Sequence, residues 1–170
     1  RAKFNELTAH LVDATMGPVR QAMSDAGYAI TIYPTKAPQD AVRQIRELPD
    51  DYDLVVCSGG DGTLDEVMTG MMHRKHKIPV GYIPAGSCND FARSLQIPNN
   101  MDRAAEIAVR GVNYSIDVGS INERNFIYVA AFGIFTDVSY TTKQEVKNVL
   151  GHMAYVLEGM KQLMNVKSYQ

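Results

Sequence analysis

The stretch from Leu54 to Thr63 limits the fold more than any other part of the chain. Leu54-Val55-Val56-Cys57 is a short apolar run with acidic residues before it and glycines after it. Its length and β-branched content suit a strand buried on both faces of a parallel sheet. Ser58-Gly59-Gly60-Asp61-Gly62-Thr63 follows at once and opens a helix expected over Thr63–Met72. An open α/β sheet takes its ligand beyond the carboxyl ends of its strands, where such a turn lies. Three glycines permit dihedrals and close approaches that side chains would block, and amides at the helix start can face a phosphate. Thr63 is a candidate helix cap or hydroxyl donor to a phosphoryl oxygen, and Glu66 three residues later matches a capping box. A carboxylate at Asp61 repels phosphate unless a cation intervenes, so Asp61 is expected to work through Mg²⁺-linked solvent or by orienting the turn. The competing reading of this loop alone is a tight turn with a capped helix and no ligand. It lacks the Lys-Ser/Thr ending of a P-loop and the spacing of a dinucleotide fingerprint.

The flanking sequence alternates helical and strand patterns. Phe4–Asp13 has helical spacing, Met16-Gly17-Pro18 interrupts or restarts it, and Val19, Ala22, Met23 and Ala26 extend the apolar stripe to a stop at Gly27. Tyr28–Tyr33 reads as a strand, Pro38–Leu48 as a helix, Pro79–Ile83 as a second buried strand and Asp102–Val109 as a helix ending near Gly111. This is the pattern of an α/β unit with helices on both faces of a sheet. The period changes after Gly111. Ser115–Ile121 and Asn125–Ala131 read as strands joined by Asn122-Glu123-Arg124, and Asn148–Met164 reads as a long helix. The expected division is an α/β domain over 1–112 and the beginning of a second, β-rich unit over 113–170, too thin to stand alone.

A second small-residue turn follows the strand at 79–83. Pro84-Ala85-Gly86-Ser87-Cys88-Asn89-Asp90 brings an amide and a carboxylate to the same sheet edge and precedes a short helix expected over Asn89–Leu95. Two such loops after neighbouring strands could enclose a polyphosphate or ribose, and turn and cap chemistry is the plainer reading of this loop by itself. Composition adds exclusions. A net charge of −2 supplies no general field for a nucleic-acid backbone. Cys57 and Cys88 form no metal pattern or disulfide framework, which suits a reducing compartment. No apolar run of membrane-spanning length and no signal peptide is visible. The four histidines form no metal cluster. His73-Arg74-Lys75-His76-Lys77 reads as a solvated basic helix end, also suited to the carbonyl end of a helix, with anionic lipid headgroups as the sharper alternative.

Taken in order, Gly59-Gly60-Asp61-Gly62-Thr63-Leu64-Asp65-Glu66-Val67, Ile83-Pro84-Ala85-Gly86-Ser87-Cys88-Asn89-Asp90-Phe91-Ala92, Ile116-Asp117-Val118-Gly119 and Asn125–Gly133 resemble the bacterial diacylglycerol kinase and sphingosine kinase-like lipid kinase family. The resemblance implies a parallel-sheet nucleotide-binding domain of the NAD kinase/diacylglycerol kinase type, followed by a β-sandwich domain that helps form a lipid site. It implies ATP and Mg²⁺ as cofactors and transfer of the γ-phosphoryl group to a lipid hydroxyl, diacylglycerol first. On this analogy Gly59, Gly60, Asp61, Gly62 and Thr63 shape the phosphate site, with Glu66 near the nucleotide, and Gly86, Ser87, Asn89 and Asp90 form the second nucleotide motif. No metal-ligand set is assigned.

Asp65 stands where many relatives have asparagine, and Ser87-Cys88 where many have Thr-Gly. The family's opening strand and Asn-Pro loop would precede Arg1, and its acidic catalytic residue would lie beyond Gln170, with Asp61 at most in support. The chain as given is therefore expected to bind nucleotide poorly or without efficient turnover. The expected partner is a lipid at a membrane surface, for a cytoplasmic protein that visits the membrane transiently; a homodimer is compatible with this. The alternatives are a kinase of a soluble cofactor or metabolite such as NAD, and a non-catalytic nucleotide-binding relative.

Overall fold

The computed structural model describes residues 16–121 and 124–130. The helices expected over 4–13 and 148–164 lie outside the described residues, and the strand expected over 125–131 stops at Phe126, with residues 127–130 outside any ladder. The chain divides into two compact units, Arg1–Tyr128 and Val129–Gln170, and the elements below belong to the first.

Residues 16–25 form α1. Its stop is the one expected. Gly27 takes φ +80°, its N–H donates to the Ser24 carbonyl, and the Tyr28 N–H reaches back to the Met23 carbonyl. That pair of bonds is a Schellman closure, for which glycine carries no Cβ penalty. Helix α2, Asp40–Glu47, buries Ala41, Val42 and Ile45. Strand β1, Val55–Gly59, is followed by helix α3, Asp61–Met72, then strand β2, Val80–Pro84. Helix α4, Asp90–Ser94, and helix α5, Met101–Arg110, come next, and Asn100 caps α5 by accepting the Arg103 N–H at 3.0 Å. A hairpin of β3, Gly119–Ile121, and β4, Arg124–Phe126, closes the described fold.

β1 and β2 pair in parallel, with Cys57 opposite Tyr82 and Val56 opposite Gly81. Side chains alternate between the two faces, and each face has its own core. Cys57 and Tyr82 pack with Ala41, Ile45, Leu64, Val67 and Met71 from α2 and α3. Ile83 and Val56 pack with Val19 and Met23 of α1 and with Ala104 and Ala105 of α5. Glycine permits the closest layers. A Cβ on Gly81 would lie 2.3 Å from the Ala108 carbonyl oxygen, and one on Gly70 would lie 2.8 Å from the Ile45 side chain. The fold is thus a small parallel α/β layer with helices on both faces, as the alternating pattern implies.

Three expectations need correction. Tyr28–Tyr33 has a strand pattern, yet it joins no ladder among the described residues. A strand requires a neighbour to take its backbone bonds, and the pattern cannot supply one; Ile32 is left exposed. The strand expected over 115–121 begins only at Gly119, and Arg124, assigned to the turn, pairs with Ile121 instead. Helix α3 starts at Asp61, two residues before the expected Thr63, with Gly60 as N-cap.

Candidate functional site: two glycine loops joined at their backbones

Each loop leaves the carboxyl end of its strand, and parallel pairing brings those ends side by side. The Ala85 N–H donates to the Gly59 carbonyl at 2.8 Å, carrying the pairing of β1 and β2 into the loops. The loops then touch backbone to backbone. A Cβ on Gly86 would fall 2.4 Å from the Gly60 Cα and 2.8 Å from the Asn89 Oδ1, and a Cβ on Gly60 would fall 3.2 Å from the Gly86 Cα. At Gly86 any side chain would have to displace the facing backbone, and at Gly60 one would require a shift of a few tenths of an ångström. Gly59 is likewise required, because its Cβ would collide with the Thr63 side chain at 2.8 Å. Gly62 faces open space, with nothing within 4 Å of a Cβ built there.

Asp61 joins the loops. Its Oδ2 accepts the Asp90 N–H at 3.0 Å and its Oδ1 accepts the Phe91 N–H at 3.1 Å. The first residue of α3 therefore caps the first turn of α4, using a carboxylate from thirty residues upstream. Charge-assisted bonds of this kind exceed neutral ones in strength. Of the two roles expected for Asp61, this contact is the orienting one.

The other candidates divide between loop architecture and exposed groups. Asn89 holds a left-handed backbone, φ 53°, and closes its own loop: Oδ1 accepts the Gly86 N–H at 2.9 Å and Nδ2 donates to the Gly86 carbonyl at 2.8 Å. Asp90 pairs through its side chain with Arg93 at 3.2 Å, and the other arm of that guanidinium donates to the Cys88 carbonyl. Ser87 is exposed on the loop. Glu66 does not complete a capping box with Thr63. Because α3 begins two residues early, Glu66 lies beyond its first turn, and its Oε1 accepts the Gln39 N–H at 3.0 Å. Asp65 accepts the Ile127 N–H just beyond β4; its carboxyl is pushed up chiefly by burial and further by the Glu66 charge.

The start of α3 carries the site's electrostatic character. Gly60, the N-cap, has no side chain to cap the helix, and the first hydrogen bond inside it is the Leu64 N–H to the Gly60 carbonyl. The N–H groups of Asp61, Gly62 and Thr63 thus have no intrahelical acceptor, and they stand at the positive end of a twelve-residue helix dipole. Such a helix start suits an anion. Burial pushes the Cys57 thiol up to about 12, so it is no nucleophile at neutral pH.

Sequence reasoning misread one residue of the basic pentapeptide at 73–77. Arg74 is 7% exposed and does not face solvent. Its guanidinium donates to the carbonyls of Ile45, Leu48, Pro49 and His76 and pairs with Asp50. Lys77 Nζ donates to the carbonyls of Met71, Met72 and Arg74. The expected affinity for a helix carbonyl end holds for both residues, and the solvated reading fails for Arg74, whose acceptors lie up to 29 residues away at the end of α2. Among the described residues no group of three or more His, Cys, Asp or Glu could hold a metal ion, and no helix is long and apolar enough to cross a membrane.

The model of the diacylglycerol kinase catalytic domain matches residues 8–121. A diacylglycerol kinase of Staphylococcus aureus strain JH9 is 37% identical over 147 residues, which cover 86% of this chain and 47% of the relative; that of strain Newman gives the same figures. The crystal structure of a diacylglycerol kinase from Bacillus anthracis strain Sterne has a TM-score of 0.60 at 30% identity, over 69% of this chain and 43% of its own. The chain spans about half the length of the curated relatives it matches. With the two joined glycine loops inside the matched region, the chain belongs to the diacylglycerol kinase catalytic domain family.

Proposed function

We infer that this chain is the nucleotide-binding part of an ATP-dependent lipid kinase, which transfers a γ-phosphoryl group to a lipid hydroxyl, diacylglycerol being the leading substrate. One observation carries the reading: two glycine loops in backbone contact, fastened by Asp61, beside an uncapped helix N-terminus. The residues present fit a polyphosphate. The free amides of α3 offer donors, Gly62 leaves room above them, and Gly59, Gly60 and Gly86 hold the backbone where a side chain would intrude. On this reading Gly59, Gly60, Asp61, Gly62, Thr63, Glu66, Gly86, Ser87, Asn89 and Asp90 bind the nucleotide or shape its site.

MgATP, when bound, supplies the phosphoryl group and the cation that neutralises its developing charge. The metal is expected to be held mainly by phosphates and water, as Mg²⁺ commonly is. The chain's own residues position. Asp61 acts as a fastener, its two oxygens holding the Asp90 and Phe91 N–H groups across the loops. The base is assigned to a residue outside these two loops. Residues 1–112 form the nucleotide half on this reading, and 113–170 open the lipid-binding half. The enzyme is cytoplasmic and visits the membrane to collect its substrate.

The test is label transfer from γ-labelled ATP by full-length protein, with Mg²⁺, to a lipid panel in mixed micelles and to soluble acceptors including NAD. Label in diacylglycerol supports the reading. Label only in a soluble acceptor moves the protein to the cofactor-kinase class, and label in none, from folded protein, refutes catalysis.

A further inference from the structure

Tyr82 carries a group that the core does not require. It stands on β2 opposite Cys57, is 5% exposed, and its hydroxyl is the one buried side-chain oxygen without a hydrogen-bond partner among the described residues. Less than 1 Å² of that oxygen is accessible, so a water has no room to serve it in this arrangement. A phenylalanine would fill the same space without burying an unpaired hydroxyl, and such a group is costly to leave unserved.

The surroundings indicate a partner. The Tyr82 ring packs against Phe91, with ring centres 6.4 Å apart. The Phe91 N–H is the donor held by Asp61 Oδ1. Burial first, and the Asp61 charge second, push the Tyr82 phenol well above its ordinary range, which keeps it a proton donor. Each oxygen of Asp61 accepts one N–H in this structure and retains capacity for another bond. Hydrogen bonds at such sites are often long before the ligand binds and shorten in the complex.

We propose that Tyr82 is a positioning residue for the nucleotide loops, its hydroxyl donating to the Asp61 carboxylate when the loops close on a bound polyphosphate. This rests on the reading of the loops as a nucleotide site. The contact adds a bond in the liganded state that the ligand-free state lacks, so nucleotide binding gains from it and the resting fold does not. It acts through Asp61 and touches no reacting atom.

The experiment uses full-length protein with Tyr82→Phe, which keeps the ring on Phe91 and removes one oxygen. MgATP affinity is expected to weaken about three- to tenfold, the range for one lost hydrogen bond. The nucleotide KM should rise with it while the lipid KM stays constant. The ligand-free Tm should be unchanged or higher, since the hydroxyl has no partner there. In an Asp61→Ala background, which has no side-chain acceptor, Tyr82→Phe should weaken MgATP little further, because the contact is already gone. Unchanged affinity in Tyr82→Phe, a lower ligand-free Tm, or full additivity with Asp61→Ala overturns the proposal. If the wild-type protein binds MgATP and only the Tyr82 effect is missing, the nucleotide reading survives; if the wild-type binds none, both fall.

Discussion

At the C-terminus of α3, Lys77 donates to the carbonyls of Met71, Met72 and Arg74, while Arg74 reaches across to close the end of α2. At its N-terminus, Asp61, Gly62 and Thr63 keep their amides without an intrahelical acceptor, and Gly60, the N-cap, has no side chain to cap the helix. Both ends begin with the same problem, since any helix leaves several backbone groups unpaired at each terminus. The C-terminus solves it within the fold. The N-terminus leaves it open, and the nearby carboxylate of Asp61 turns away to serve α4 instead. The contrast separates stability from binding along one helix: cations that complete the carbonyl end belong to the fold, and donors left open at the other end are available to an anion.

That contrast can be broken by substitution. Arg74→Ala should have the largest effect on stability, about 3–5 kcal/mol in denaturant unfolding, because several buried carbonyls lose their donor together. The MgATP affinity of the protein that remains folded should stay within about twofold of wild type; a larger loss would mean that the two ends are not separate. Gly86→Ala follows. Its methyl would have to fit 2.4 Å from the Gly60 Cα, so the loops must part, costing about 1–3 kcal/mol of stability and at least about tenfold in nucleotide affinity by equilibrium titration.

Gly62→Ala sharpens the comparison, because the two readouts should move in opposite directions. A methyl meets nothing within 4 Å there, and alanine favours a helix, so stability should rise by about 0.5–1 kcal/mol. Nucleotide affinity should nonetheless fall, since the methyl occupies the space above the free amides. Unchanged affinity would remove the phosphate from the start of α3.

The smallest effect is expected at Asp65, in the first half of the same helix. Its carboxyl is raised in the folded protein, first by burial. The unfolded chain therefore loses this proton at lower pH than the folded one. Stability falls as pH rises from the ordinary aspartate range through the raised folded value. Asp65→Asn keeps an oxygen for the Ile127 N–H and removes that loss. Its Tm gain at neutral pH should be on the order of 1 °C for so partly exposed a group, and should vanish in acid below the ordinary aspartate range. A gain that persists in acid would assign the effect to something other than this ionisation.

Much of this arrangement is legible locally. The run Leu54-Val55-Val56-Cys57 and the glycines after it place β1 and its loop to within two residues, because burial and φ freedom are properties of the residues themselves. Gly27 announces its stop for the same reason. The errors occur where a partner is distant in sequence. Tyr28–Tyr33 has the alternation of a strand and no ladder among the described residues. Glu66 has capping-box spacing, but its bond goes to Gln39, 27 residues earlier. Arg74 looks solvated among its charged neighbours, and its acceptors lie at the end of another helix.

The sequence by itself determined the alternation of elements, the two glycine turns and the family to which they belong. These follow from side-chain size, branching and spacing over a few residues. Only the tertiary structure decided that the loops touch, that Asp61 spends its carboxylate on the second loop, that Arg74 is a buried fastener and that the Tyr82 hydroxyl is buried without a partner among the described residues. Hydrogen bonds between residues thirty positions apart depend on how strands and helices dock, and no local pattern encodes which donor will meet which acceptor.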